Sequence, residues 1–327
     1  MLKELKTITL ISDYLRQCGV FKEIESIADI YNFFVYLQEN KHTFNTLYIY
    51  NYLYHFISSN EVAKRKTSAR VFEDLLAILF NAQVADTKQR KNLNYEVSDY
   101  FINVKDNIAS NRREKADVIF ANGYSFSVKT LIANNKEINM GSFEKKVLFD
   151  SLKVDNYLSE RTSSDGAGVG SKPQFLKLLT LIETLSSYES FREKFNKMAE
   201  FIYADDLLLA IKDDTKMQLY FLSGKELVRL FHSLSENKNK FLSIVNRYEG
   251  NSLRIDRDIL LQQCSMSLSL DFSYLNSSVM KLINEFDYLL HESYVKYFNG
   301  DKDSRNKALQ SLESLFSSFE TQYKAYK

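Results

Sequence analysis

Two opposite charges stand in apolar, strand-like sequence: Asp117 in Ala116-Asp117-Val118-Ile119-Phe120, and Lys129 at the end of Ser125-Phe126-Ser127-Val128-Lys129. Side chains two apart on a strand share a face, so Ser125, Ser127 and Lys129 project together while Phe126 and Val128 face the other way. A lysine in such a setting is costly unless an acid or a reacting phosphate balances it. A second acid, Glu73, lies upstream in the helix-patterned stretch SARVFEDLLAILFNA. Two carboxylates and a lysine suit phosphodiester hydrolysis. Hard carboxylate oxygens hold a divalent cation, usually magnesium, which lowers the pKa of a bound water and neutralises the phosphorane-like transition state. The lysine orients or deprotonates the attacking water and offsets the developing charge.

The elements around these residues must bring them together. Phe72, Leu75, Leu76, Leu79 and Phe80 recur as one buried helical stripe, and Ser68 is placed as its N-cap. At 100° per residue Glu73 falls on the border of the stripe, whereas Asp74 lies roughly 200° from its centre and is expected to face water. The two strands meet around Asn122-Gly123. A two-residue turn there would pair Ala121 with Tyr124 and Asp117 with Val128, and put Asp117 on the face opposite Lys129. A three-residue loop or a bulge would instead bring Asp117 opposite Lys129. The plain alternative is a β-hairpin whose Asp and Lys form an ordinary ion pair.

The rest of the chain reads as a mixed α/β protein. Residues 1–60 form a helical N-terminal region with aromatic-rich runs such as IADIYNFFVYLQ and LYIYNYLYHFI, whose rings are read as packing. Residues 61–223 hold the two central strands, a polar stretch from Asp86 to Lys115, a short helix near 142–152 and a loop, LSERTSSDGAGVGSKPQF, with three glycines and the one proline. Helical character follows from Phe175 to about Tyr203, then a strand pair around Asp213-Asp214. Residues 224–327 are mainly helical: a helix at 224–235, strands at SLRID and SMSLSLDF, and two amphipathic helices from about Ser278 onward.

Composition narrows the partners. Forty-three Lys and Arg against forty-two Asp and Glu give a net charge of +1, so a nucleic-acid site would be a local patch. Cys18 and Cys264 lack zinc or disulfide spacing, and the scattered His42, His55, His232 and His291 form no HExxH or HxH. The isolated thiols point to a reducing cytosol, and no run of eighteen apolar residues occurs.

The order Glu73, Asp117, Ser127-Val128-Lys129 resembles the PD-(D/E)XK nuclease superfamily, and more closely type II restriction endonucleases with Ser in the second acidic position. The resemblance covers roughly Ser68 to Leu131. It implies a restriction-endonuclease-like core, a central mixed β-sheet flanked by helices. It further implies Asp117 and Glu73 as metal ligands, Lys129 as the water-activating or charge-stabilising group, and magnesium, replaceable by manganese, as cofactor. Ala116 stands where the signature often has Pro. Ser127 removes one ligand, which Glu73, or Glu137 in NNKEINMGS, would have to replace.

Such an enzyme would cut both strands of double-stranded DNA at a short sequence, commonly as a homodimer, beside a companion methyltransferase for the same site. Arg161, Ser171 and Lys172 around the glycine-rich loop are candidate phosphate contacts, with a plain loop as the alternative. Arg254 and Arg257 could read guanine, or simply pair with Asp256 and Asp258. Lys64-Arg65-Lys66 precedes the Glu73 helix and reads equally as a solvated run. Two other functions fit the same residues: a structure-specific repair or defence nuclease, and a non-catalytic helical interaction protein.

Overall fold

The computed structural model describes residues 2–21, 23–58, 68–85, 116–159 and 170–326. Lys64-Arg65-Lys66, the polar stretch from Asp86, and Arg161 with most of its glycine-rich loop lie outside them. The chain is mixed α/β, and no helix among the described residues is long and apolar enough to cross a membrane. It divides into two compact units: Met1–Thr130 with Leu208–Leu219 and Met266–Lys327, and Leu131–Leu207 with Tyr220–Ser265. This differs from a contiguous split at 1–60, 61–223 and 224–327. Strands late in the chain return to the sheet that the early ones begin.

The first unit is built on a six-stranded sheet in the order β1 (Gln83–Val84), β2 (Val118–Ile119), β3 (Ser125–Ile132), β6 (Asp206–Lys212), β7 (Lys216–Leu222) and β10 (Met266–Asp271). The β6–β7 pair forms around Asp213-Asp214 as the sequence suggests. Helix Ile27–Glu39 buries Ile27, Ile30, Phe33, Phe34 and Leu37 at helical spacing and packs on β10. Its N-terminus is held by Asp29, whose carboxylate accepts from the Ser26 hydroxyl at 2.8 Å and the Glu25 amide at 3.1 Å. Phe44 of helix Phe44–Ser58 sits 4.8 Å from Phe319 and 5.5 Å from Phe316, ring centre to ring centre. That contact joins it to the long helix Lys302–Tyr326.

Three helices, Ser277–Leu289, His291–Asn299 and Lys302–Tyr326, stand where the periodicity suggests two. The additional break falls at Gly300-Asp301, where Asp301 accepts the Ser304 amide at 2.9 Å and restarts the helix.

Helix Ser68–Leu79 packs on β1 and β2 and also against helix Leu2–Gln17, where the Ser12 hydroxyl donates to the Leu79 carbonyl. It is therefore buried on every side, Asp74 included, at 1% exposure. The expectation that Asp74 faces water is corrected. A helical wheel gives the angle between faces but not how many of them are covered.

The second unit is a four-stranded antiparallel sheet in the order β4 (Glu137–Ser142), β9 (Ser252–Asp256), β8 (Val245–Glu249) and β5 (Gly170–Ser171). Ile138, Met140, Val245, Tyr248, Leu253 and Ile255 are buried with the aromatic rings of the surrounding helices. Phe195 lies 4.8 Å from Phe241 and 5.0 Å from Phe143.

The segment Lys172-Pro173-Gln174, read from sequence as the end of a loop, opens helix Lys172–Leu185. Proline is tolerated in a first turn, where its missing N–H has no helical acceptor. Ser171 and Gln174 complete the start as a capping box.

Gly224 opens helix Gly224–Ser235 so close to the preceding chain that a Cβ would lie 2.5 Å from the Tyr203 carbonyl oxygen and 2.9 Å from that of Asp205. These are backbone atoms that cannot turn aside. Gly224→Ala is expected to destabilise the protein by about 2–3 kcal/mol in chemical denaturation. An unchanged midpoint would show that the contact relaxes freely.

Candidate active site

The β2–β3 hairpin fixes the face on which Asp117 projects. Val118 pairs with Phe126 and Ile119 with Ser125, and the Phe120 amide donates to the Tyr124 carbonyl at 2.8 Å. The loop is thus three residues, Ala121-Asn122-Gly123. The Gly123 amide donates to Phe120 at 3.1 Å, and Gly123 takes φ +88°, a left-handed conformation that suits glycine. The Asn122 side chain accepts from the Tyr124 amide at 3.0 Å, which holds the turn.

The pairing ends at Val118–Phe126, and Asp117 is a bend residue just before it; it is half-buried like Ser125, Ser127 and Lys129, between buried Ala116 and Val118, which puts it on their side of the hairpin. With Val118 opposite Phe126, Asp117 does not stand directly opposite Lys129, which corrects the expectation that a three-residue loop sets the two across from each other. Val118, Phe120, Phe126 and Val128 are buried, whereas Ser125, Ser127 and Lys129 are half-buried, as the alternation requires.

Asp117 is anchored on both sides. Its amide donates to the Phe126 carbonyl at 3.1 Å, and its carbonyl accepts from Ala85 of the chain beyond β1 at 3.0 Å. Its Oδ2 accepts from the Val128 amide at 2.8 Å, on the residue just before Lys129. A carboxylate held by a backbone N–H has its orientation set before any ligand arrives.

Lys129 has its pKa lowered, chiefly because burial strips water from the ammonium; Asp117 first and then Glu73 act in the opposite sense. Both carboxylates therefore act electrostatically on one lysine. Glu73, at 7% exposure, comes from helix Ser68–Leu79, which packs against β2.

Glu137 does not share this arrangement. It begins β4 in the second unit, and its carboxylate is taken by Arg247, at 2.9 Å from Nε and 2.7 Å from Nη2. Of Glu73 and Glu137, it is Glu73 whose charge acts on Lys129 along with that of Asp117. Among the described residues no group of three or more His, Cys, Asp or Glu side chains is arranged to hold a metal ion. The acids that act on Lys129 are the two carboxylates of Asp117 and Glu73. Two carboxylates fit magnesium, which keeps much of its water and completes its shell with substrate phosphate oxygens.

The candidate DNA contacts are mostly engaged within the fold. Arg257 donates to the carbonyls of Ala133 at 2.6 Å and Asn135 at 2.9 Å, and to Asp258 at 2.9 Å. Arg254 lies 3.5 Å from Glu249 rather than pairing with Asp256, which instead caps helix Arg257–Leu261. Arg257 is thus held within the fold, while Arg254 has an acid beside it. Lys172 donates to the Ser243 carbonyl at 3.3 Å, and Ser171 serves as a helix cap.

Sequence reasoning missed Lys212, at the end of β6, the strand next to β3. It is 6% exposed, and burial lowers its pKa. The signal was available: the run LLLAIK presents a lysine in an apolar strand just as SFSVK does.

No family model matches the chain, and no curated protein or solved structure matches it either.

Proposed function

We propose that this chain is a magnesium-dependent deoxyribonuclease of the type II restriction kind, hydrolysing both strands of double-stranded DNA at a short sequence. The observation that carries the reading is the three-residue hairpin loop. It puts Asp117, Ser127 and Lys129 on one face, with Glu73 close enough for its charge to act on the same lysine. The six-stranded sheet with flanking helices is compatible with a restriction-endonuclease-like core.

In this reading Asp117 and Glu73 would hold the cation, which when bound supplies Lewis acidity toward water and the phosphate. The Val128 amide keeps one Asp117 oxygen fixed. Lys129, with its proton loosened by desolvation, takes a proton from the attacking water as the oxygen–phosphorus bond forms. Once protonated, it balances the charge that builds before the bond to the leaving oxygen breaks. Ser127 offers a hydroxyl that both donates and accepts, enough to orient a water but not to replace a carboxylate.

Acting on both strands implies a homodimer, and a cytoplasmic enzyme of this kind would work beside a methyltransferase that protects the same site. Sequencing the ends left on a mixed-sequence plasmid after incubation with magnesium tests the reading. Ends clustered at one short recurrent sequence are expected. Ends scattered without preference would replace the restriction reading with a structure-directed nuclease, and an intact plasmid would remove nuclease function.

A second readout does not depend on turnover. Magnesium at about one hundred times its Kd is expected to stabilise the folded protein by about 2.7 kcal/mol. This shift should disappear in Asp117→Asn and Glu73→Gln. An equal shift in both variants would place the cation elsewhere.

A further inference from the structure

Helices Leu2–Gln17, Ile27–Glu39 and Lys302–Tyr326 of the first unit contribute to a cavity of about 390 Å³ that shares no residue with the hairpin or with the Glu73 helix. The rings of Tyr14, Tyr36 and Phe316 line it together with the carboxylates of Glu313 and Glu320. No lysine, arginine or histidine lines it among the described residues, so nothing in its wall neutralises the two acids.

The two acids are placed as a pair of ends. Glu313 and Glu320 face the same side of one helix about two turns, or roughly 10 Å, apart, and Phe316 and Ser317 lie between them. Each carboxylate has a tyrosine within its field, Tyr14 beside Glu313 and Tyr36 beside Glu320. Burial raises both phenols, so they stay neutral. Buried Asn45 lines the cavity with Tyr36, and its oxygen accepts from the Thr46 amide at 2.8 Å.

One inorganic cation would need both carboxylates at bonding distance, and a ring occupies the space between them. A chain with an ammonium at each end and methylenes in the middle matches the order carboxylate, ring, carboxylate. Each ammonium would meet a carboxylate and an aromatic face, and the methylenes would cover Phe316. The geometry points to a binding site for an aliphatic polyamine in this cavity.

Calorimetry with spermidine on the full chain tests the assignment. A single saturable site with Kd below about 1 mM is expected, weakened about tenfold or more in Glu313→Gln/Glu320→Gln. Tyr36→Leu, which keeps the charge and removes the ring, is expected to weaken it several-fold, whereas Glu285→Gln/Asp303→Asn, one on another helix and one in the first turn of the same helix, both outside the cavity wall, should leave it unchanged. Hexylamine, with one ammonium, should bind at least about tenfold more weakly than spermidine. Three results would each overturn the proposal: no saturable binding, equal weakening by the distant pair of substitutions, or equal affinity for hexylamine.

Discussion

Lys129→Met is expected to lower the rate of DNA cleavage by about 10³-fold while the protein remains folded. The argument rests on two opposing terms at that position. Burial makes the ammonium costly, so an apolar side chain of similar length relieves that cost; the same change removes the counter-charge to Asp117 and Glu73. The terms oppose each other in stability but not in catalysis, where only the loss of the proton acceptor and charge counts.

The sign of the pH dependence follows from the lowered pKa. Neutral lysine is the proton acceptor, and its fraction rises with pH through a midpoint below the ordinary lysine value. Wild-type rates should therefore climb from neutral toward mildly alkaline pH, and this limb should be missing in Lys129→Met. Asp117→Asn is expected to match the loss at saturating magnesium, and the double variant to be little worse than either single one, because the groups act as a unit. A double variant showing the product of both losses would mean that the two residues act separately.

Deleting Ala121 is expected to abolish cleavage and to cost about 3 kcal/mol of stability. With a two-residue turn, the period of two along the strands leaves β2 a choice between two unfavourable outcomes. Shifting by one residue turns Asp117 toward the face now occupied by buried Val118 and Phe120, and turns those two side chains out. Keeping the register forces the turn itself into strain at Gly123. The control is Ala121→Ser, which preserves loop length at an exposed position and should leave activity and melting temperature unchanged. Retained activity in the deletion variant would mean that the shared face is not what assembles the site.

The hairpin was the most legible part of the sequence because each of its signals is local. Alternation in SFSVK and the glycine in Ala121-Asn122-Gly123 follow from sterics within a few residues. Loop length was not legible, since Asn-Gly serves both a two-residue turn and the end of a three-residue one. Asp74 was misplaced for a different reason: its helix packs on β1, β2 and helix Leu2–Gln17 at once, so the side that periodicity assigns to water is covered too. The fates of Arg254, Arg257 and Glu137 depend on partners such as Glu249, Asn135 and Arg247 that no spacing rule brings together. Strands β4 and β8 also escaped notice, being short and polar on one face, with a bulge in each pairing with β9. Long-range pairing, not propensity, makes them strands.

The central claim is that Asp117, Glu73 and Lys129 form one reactive centre. Its most direct test is plasmid cleavage in magnesium by the purified wild-type protein beside Asp117→Ala and Lys129→Ala, each shown by circular dichroism to be folded. Magnesium-dependent cleavage by the wild type and none by either folded variant is the predicted result. Intact DNA with the wild type in both magnesium and manganese, or undiminished cleavage by both variants, would contradict it.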